Sequence, residues 1–129
     1  MKRKLECDIA LFAIGGIAYG LIEILWRKYT HWTMLITGGF CFVILYRLFT
    51  KAVNTALWQK CLIGSAVITA IEFVAGCIIN IWGKMNVWDY SGIPINLCGQ
   101  ICALYSVLWG LLSIPIVAVC NVIKKKFDF

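Results

Sequence analysis

Charge is scarce in this chain: Asp, Glu, Lys and Arg make up 14% of its 129 residues, against 62% hydrophobic residues. A soluble globular protein needs more polar surface than that to cover its core, so water is excluded as the main solvent. The chain also lacks a G-x-x-x-x-G-K-[ST] phosphate loop, which excludes a built-in ATPase of that type. It has one histidine, and Cys41, Cys61, Cys77, Cys98, Cys102 and Cys120 lie in or beside apolar runs, where cysteine acts as a small hydrophobe. Cys98 and Cys102 fall one helical turn apart on a helical reading, but no further ligand completes a tetrahedral metal site. No clear small-residue cleavage site follows the first apolar run, so Lys2-Arg3-Lys4 is read as the basic flank of a spanning helix and not as the start of a cleaved signal peptide.

What remains is long apolar sequence. Four stretches have the length to cross about 30 Å of hydrocarbon at about 1.5 Å per residue. They run approximately Ile9–Trp26, Thr30–Phe49, Cys61–Trp82 and Leu97–Ile123. The expected fold is therefore all-α: a polytopic membrane protein, one transmembrane domain over residues 1–129, arranged as two tandem helical hairpins. The second span is the weakest of the four, because Gly38 and Gly39 interrupt a short apolar core.

Lys2, Arg3, Lys4, Arg47, Lys51, Lys60, Lys124, Lys125 and Lys126 fall on one side of such a layout, and Arg27, Lys28 and Lys84 on the other. The positive-inside rule makes the first side cytoplasmic, with both termini there and the chain in the cell membrane. The net charge of +6 is thus spent on topology, and nucleic acid is not an expected partner. Trp26, Tyr29, Trp32, Trp82, Trp88 and Tyr90 gather at the opposite face, where amphipathic rings favour the interface.

The first and third spans share a pattern. Ile14-Gly15 and Ile22-Glu23 recur as Ile63-Gly64 and Ile71-Glu72. The aligned segments are Ile14-Gly15-Gly16-Ile17-Ala18-Tyr19-Gly20-Leu21-Ile22-Glu23 and Ile63-Gly64-Ser65-Ala66-Val67-Ile68-Thr69-Ala70-Ile71-Glu72, in which Ile, Gly, Ile and Glu match. Each glutamate ends a stripe of small or hydroxyl residues, Gly16 and Gly20 before Glu23, Ser65 and Thr69 before Glu72. Such stripes let helices approach closely and belong inside protein. An ionised carboxylate in hydrocarbon costs several kcal/mol, roughly, so each must be protonated, hydrated or paired. Glu23 has Arg27 one turn on, which offers an ion pair at the membrane edge; Glu72 lies deeper, with no basic neighbour one turn away on its helix. Either can be a structural carboxyl bonded across helices or part of a proton, cation or ligand site.

The connection after the third span is dense in polar groups: Asp89, Asn96 and Gln100 surround Pro94 and Gly92. A turn with Asn96 capping a helix that begins near Leu97 accounts for part of it, and a lining or gating role stays open for the rest. The following stripe of Asn96, Gly99, Ala103, Ser106, Gly110 and Ser113 points to close helix packing, and Pro115 to a kink. His31, between Thr30 and Trp32, is an interfacial hydrogen-bonding residue that can titrate near neutral pH.

Glu23, the run Tyr29-Thr30-His31-Trp32-Thr33-Met34 with Gly38-Gly39, Glu72, and Trp88-Asp89-Tyr90-Ser91 with Pro94, Asn96 and Gly99-Gln100-Ile101-Cys102 together resemble the bacterial ABC-transporter type IV membrane proteins, the CmpB-like family. The resemblance spans nearly the whole chain and implies a polytopic, transport-related protein. Any ATPase is then a separate chain, and four helices are few for a permease, so a homodimer is implied, with Gly16-x-x-x-Gly20 as a close-packing face.

Three functions stay open. One is a transporter or channel subunit whose ion or ligand site draws on Glu72, Glu23, Asp89, Asn96, Gln100 and His31. The second is an accessory or structural membrane protein that binds a partner chain. The third is a membrane-embedded enzyme, for which His31, Asp89 and Glu72 are the available groups, without a nucleophile or metal set that would name a reaction. No cofactor is implied.

Overall fold

The computed structural model describes residues 2–28, 31–51, 54–85 and 87–127, without the side chains of Lys2, Arg3 and Arg27. Among them are four α-helices: α1 (Lys2–Arg27), α2 (Trp32–Lys51), α3 (Leu57–Gly76) and α4 (Ala103–Phe127). A π-helical segment, Cys77–Trp82, continues α3, and a short antiparallel hairpin of β1 (Asn96–Leu97) and β2 (Ile101–Cys102) precedes α4. All four helices are long and apolar enough to cross a membrane, the third as Leu57–Trp82. Leu5, Ile9, Ile17, Leu21 and Leu25 stand exposed on α1, and Leu104, Val107, Leu111 and Ile114 on α4. Continuous apolar faces of this kind suit hydrocarbon and not water. The chain is an all-α, multi-pass membrane protein.

Its contacts divide it into two compact units, Met1–Asn54 with Val117–Phe129, and Thr55–Ile116. In the first, α1 and α2 form a tight hairpin. A Cβ at Gly16 would lie 2.8 Å from the Leu35 carbonyl oxygen, and one at Gly39 would lie 2.9 Å from the Phe12 ring. The glycines that weaken the second span as a sequence are therefore what lets its helix approach α1. Gly20 likewise faces the Leu35 side chain. The Gly16-x-x-x-Gly20 face, expected to meet a second copy of the chain, is covered by α2 instead. Leu11, Leu45, Tyr46, Phe49 and Cys120 are fully buried in this unit. Towards the opposite end of the hairpin, the Arg47 guanidinium donates to Asp8 Oδ1 through Nε at 3.1 Å and also through Nη2.

The second unit is built on α3. Its buried residues, Lys60, Gly64, Ile68, Glu72 and Gly76, recur every four residues and define one helix face. Gln59 Oε1 accepts from the Ala56 amide at 3.0 Å and satisfies one of the donors at the helix start.

The fourth helix begins at Ala103, six residues later than the sequence indicates. Asn96 is accordingly no helix cap, and Asn96 and Gly99 are not on the α4 stripe. The physical reason is the turn at Cys98 and Gly99. Both have left-handed backbone, φ 56° and 71°, and the Gln100 amide donates to the Leu97 carbonyl at 3.1 Å. Successive positive φ values are the mark of a type I′ turn, which closes hairpins and cannot continue a helix. Cys98 and Cys102 thus lie in a turn and on a strand, not one helical turn apart. Pro115 sits inside α4, which runs on to Phe127.

Candidate functional site: a buried carboxyl beneath a folded-back loop

Along the buried face of α3, hydroxyl residues lead towards Glu72. Ser65 Oγ donates to the Ser106 carbonyl at 2.7 Å, and Thr69 Oγ1 shares a 2.9 Å hydrogen bond with Ser106 Oγ. Ser106 belongs to α4, where a Cβ at Gly110 would lie 3.5 Å from the Cys61 carbonyl oxygen and from Ser65 Cβ, an ordinary van der Waals distance. The stripe of Ser65, Thr69 and Glu72 is therefore turned into protein, as its residue types indicate. One turn beyond Thr69, the buried Glu72 carboxyl accepts two hydrogen bonds. Tyr90 Oη donates to Oε2 at 3.1 Å and Trp109 Nε1 donates to Oε1 at 3.4 Å. Both of these donors are neutral groups.

Aromatic rings surround this carboxyl. Tyr90 stacks on Tyr105 with ring centroids 4.9 Å apart and 13° between planes, and Tyr105 lies 6.0 Å from Trp109. Tyr105 and Trp109 are four residues apart on α4, hence on the same face. Burial, and next the Glu72 carboxylate, hold the Tyr90 hydroxyl above its ordinary range, so it stays a donor.

Tyr90 reaches Glu72 because the loop after α3 folds back along the helix. The π-helical segment starts this reversal: the Gly83 amide donates to Ile78 O at 2.8 Å, a five-residue step, and the Met85 amide to Ile79 O at 3.0 Å. Asn80, within that segment, is the hub. Its Oδ1 accepts from the Val87 amide at 2.6 Å, while its Nδ2 donates to Gln100 Oε1 at 2.8 Å. Gln100 is buried, donates from Nε2 to the Cys98 carbonyl at 3.0 Å, and its own carbonyl accepts from Trp88 Nε1 at 3.0 Å. The Tyr90 amide donates to Gly99 O at 2.7 Å. Gly76 leaves the room for this arrangement: a Cβ there would lie 2.5 Å from Gln100 Oε1 and 3.0 Å from Trp88. Irregular backbone is tolerated beside a membrane helix only when its polar groups are satisfied in this way.

The remaining loop residues brace the same reversal. Asp89 is exposed, and its Oδ1 accepts from the Ser91 amide at 2.9 Å. That bond, followed by one from the Ser91 hydroxyl, holds its carboxyl below the usual value of 3.8. Asn96 Oδ1 accepts from the Gly99 amide at 3.0 Å, and its Nδ2 donates to Ile93 O at 2.8 Å. Asp89, Asn96 and Gln100 thus belong to one loop, and that loop meets Glu72 through Tyr90.

Glu23 and His31 belong to the first unit. Glu23 is buried on α1, while the side chain of Arg27, its expected partner, and residues Tyr29 and Thr30 lie outside the described residues. His31 caps α2: its carbonyl accepts from the Met34 amide at 2.9 Å, and its Nδ1 contacts the Thr33 hydroxyl at 2.8 Å. Its described bonds are local.

Sequence reasoning identifies Glu72 and Gln100 but reads Tyr90 and Trp88 as interfacial aromatics and gives Asn80, Tyr105 and Trp109 no part. Trp109 carried a usable signal, since it follows Ser106 by three residues on the stripe that faces α3. The pairing of Tyr90 with Glu72 carried none, because it depends on a loop reversal between residues 18 apart.

No curated protein and no solved structure matches the chain. A family model does: residues 10–128, which include Glu72, both aromatic helix residues and the whole folded-back loop, match the family described as "Putative ABC-transporter type IV". The chain belongs to this family.

Proposed function

We propose that the chain is a subunit of a membrane transporter or channel in which Glu72 is the working group, exchanging a proton or cation within the membrane. The observation that carries the reading is the setting of that carboxyl: it is buried in a spanning helix and accepts from the neutral donors Tyr90 Oη and Trp109 Nε1. A carboxyl in such surroundings is expensive to ionise and expensive to leave unsatisfied, and intramembrane carboxyls of this kind mark ion and proton pathways. Ser65, Thr69 and Ser106 extend polar character along the same face. Tyr90 joins the site to a loop held by Asn80 and Gln100, so the bond state of the carboxyl and the position of the loop are linked. Asp89 and Asn96 serve that loop, and Glu23 and His31 have supporting parts in the other unit.

The family's transport-related name supports the same reading. Both termini are placed in the cytoplasm by the distribution of Lys and Arg. Without a phosphate loop of its own, the chain takes any ATP-driven step from a separate ATPase chain, and a homodimer brings it to the size of a permease.

The test is cation and proton flux in proteoliposomes holding the wild-type chain or Glu72→Gln, with thermal stability followed in the same lipid. Glutamine keeps the shape and acceptor oxygen but cannot titrate. The variant should fold and lose flux; wild-type flux through it would refute the role of Glu72.

A further inference from the structure

We propose that the Glu72 site takes an organic ammonium ion, with Glu72 as counter-ion and Tyr90, Tyr105 and Trp109 as its aromatic wall. This names the ligand class of the carboxyl assigned above and rests on that reading. The argument begins with what lies around Glu72. A small hard cation such as sodium seeks a shell of about six oxygen ligands. Beside this carboxyl stand the Tyr90, Tyr105 and Trp109 rings, and the Tyr90 hydroxyl is turned to donate to Glu72. Rings offer their negative faces, which attract a cation best when its hydration is weak, as with alkylated ammonium groups.

The geometry has both parts such a ligand uses. The carboxylate supplies the opposite charge, and Trp109 Nε1 at 3.4 Å and Tyr90 Oη at 3.1 Å hold its two oxygens in place. The Tyr90, Tyr105 and Trp109 rings follow one another at 4.9 and 6.0 Å, a continuous apolar surface beside the charge. Glu72 and Trp109 are buried, whereas Tyr90 and Tyr105 keep part of their surface open, so the aromatic side is the one a ligand reaches first. Tyr90 also belongs to the folded-back loop. A cation that engages Glu72 competes with the Tyr90 hydroxyl for the same carboxyl, and so reports its presence to the loop.

The experiment is isothermal titration of tetramethylammonium chloride into the full chain in nanodiscs, against sodium and potassium chloride at equal ionic strength. Saturable binding of tetramethylammonium alone is expected. Tyr105→Leu, which removes a ring face, should weaken it about tenfold, while Tyr105→Phe, which keeps the face, should retain it. Glu72→Gln should weaken it at least as much as Tyr105→Leu. Absence of saturable binding to the wild type overturns the inference, as does binding that Tyr105→Leu leaves unchanged. Glu72-dependent flux in proteoliposomes without tetramethylammonium binding would remove the ligand class and leave the transporter reading standing; absence of both would remove the two together.

Discussion

Gly76 is the point where the folded-back loop depends most on a missing methyl group. A Cβ there would lie 2.5 Å from Gln100 Oε1, 3.0 Å from Gln100 Cβ and 3.0 Å from Trp88 Cζ2. Gln100 cannot swing aside cheaply, because Asn80 donates to its Oε1, Cys98 accepts from its Nε2 and its carbonyl accepts from Trp88. Gly76→Ala gains up to about 1 kcal/mol of helix propensity. Against that stand overpacking at about 1–3 kcal/mol and about 1 kcal/mol for each strained or broken hydrogen bond. The net expectation is a loss of about 2 kcal/mol, with the loop displaced. Gly110→Ala is the matched control, since its Cβ would meet neighbours at 3.5 Å, an ordinary contact, and it should be neutral or slightly stabilising. Thermal unfolding of both variants in nanodiscs, with tryptophan emission to follow Trp88, makes the comparison. Equal tolerance of the two changes would show that the loop does not lie against α3 as described.

At Glu72, Ala should destabilise more than Gln, because it leaves the Tyr90 hydroxyl and the Trp109 indole without their acceptor, at about 1–3 kcal/mol each; equal stability of the two variants would contradict those bonds. The carboxyl of Asp89 is held below 3.8, first by the Ser91 amide and then by its hydroxyl. The loop support it gives is complete above the ordinary aspartate range and lost as pH falls through the lowered value. Nuclear magnetic resonance of the Ser91 amide should show its midpoint below 3.8, and a midpoint at or above that value would refute the assignment. Reporter fusions at Lys4 and Lys126 should both read as cytoplasmic, and opposite sides would end the proposed topology.

The spans were legible because length and apolarity alone decide them, and Glu72 was legible because a charge in such a run is costly enough to stand out. The stripe of Ser65 and Thr69 told which way that helix face turns. The loop was not legible for specific reasons. A hairpin turn usually announces itself with Asn-Gly or Asp-Gly, and here Cys98 takes the left-handed position before Gly99. The π-helical segment Cys77–Trp82 has the composition of an ordinary helix, so nothing in its residues announces the changed step that precedes the reversal. Asn80 stands eight residues beyond Glu72 in the chain, and its described side-chain partners come from the returning loop. Gly16 and Gly20 illustrate a different limit: small residues signal a close approach but not which helix makes it, and here it is α2.

The claim that Glu72 exchanges a proton within the membrane is tested most directly by difference infrared spectroscopy of its carboxyl band. Wild-type protein in nanodiscs should show a protonated carboxyl band that rises and falls with pH, shifts in Tyr90→Phe as a hydrogen bond is lost, and is absent from Glu72→Gln. A titrating band that persists unchanged in Glu72→Gln, or a wild-type spectrum without one, would contradict the account.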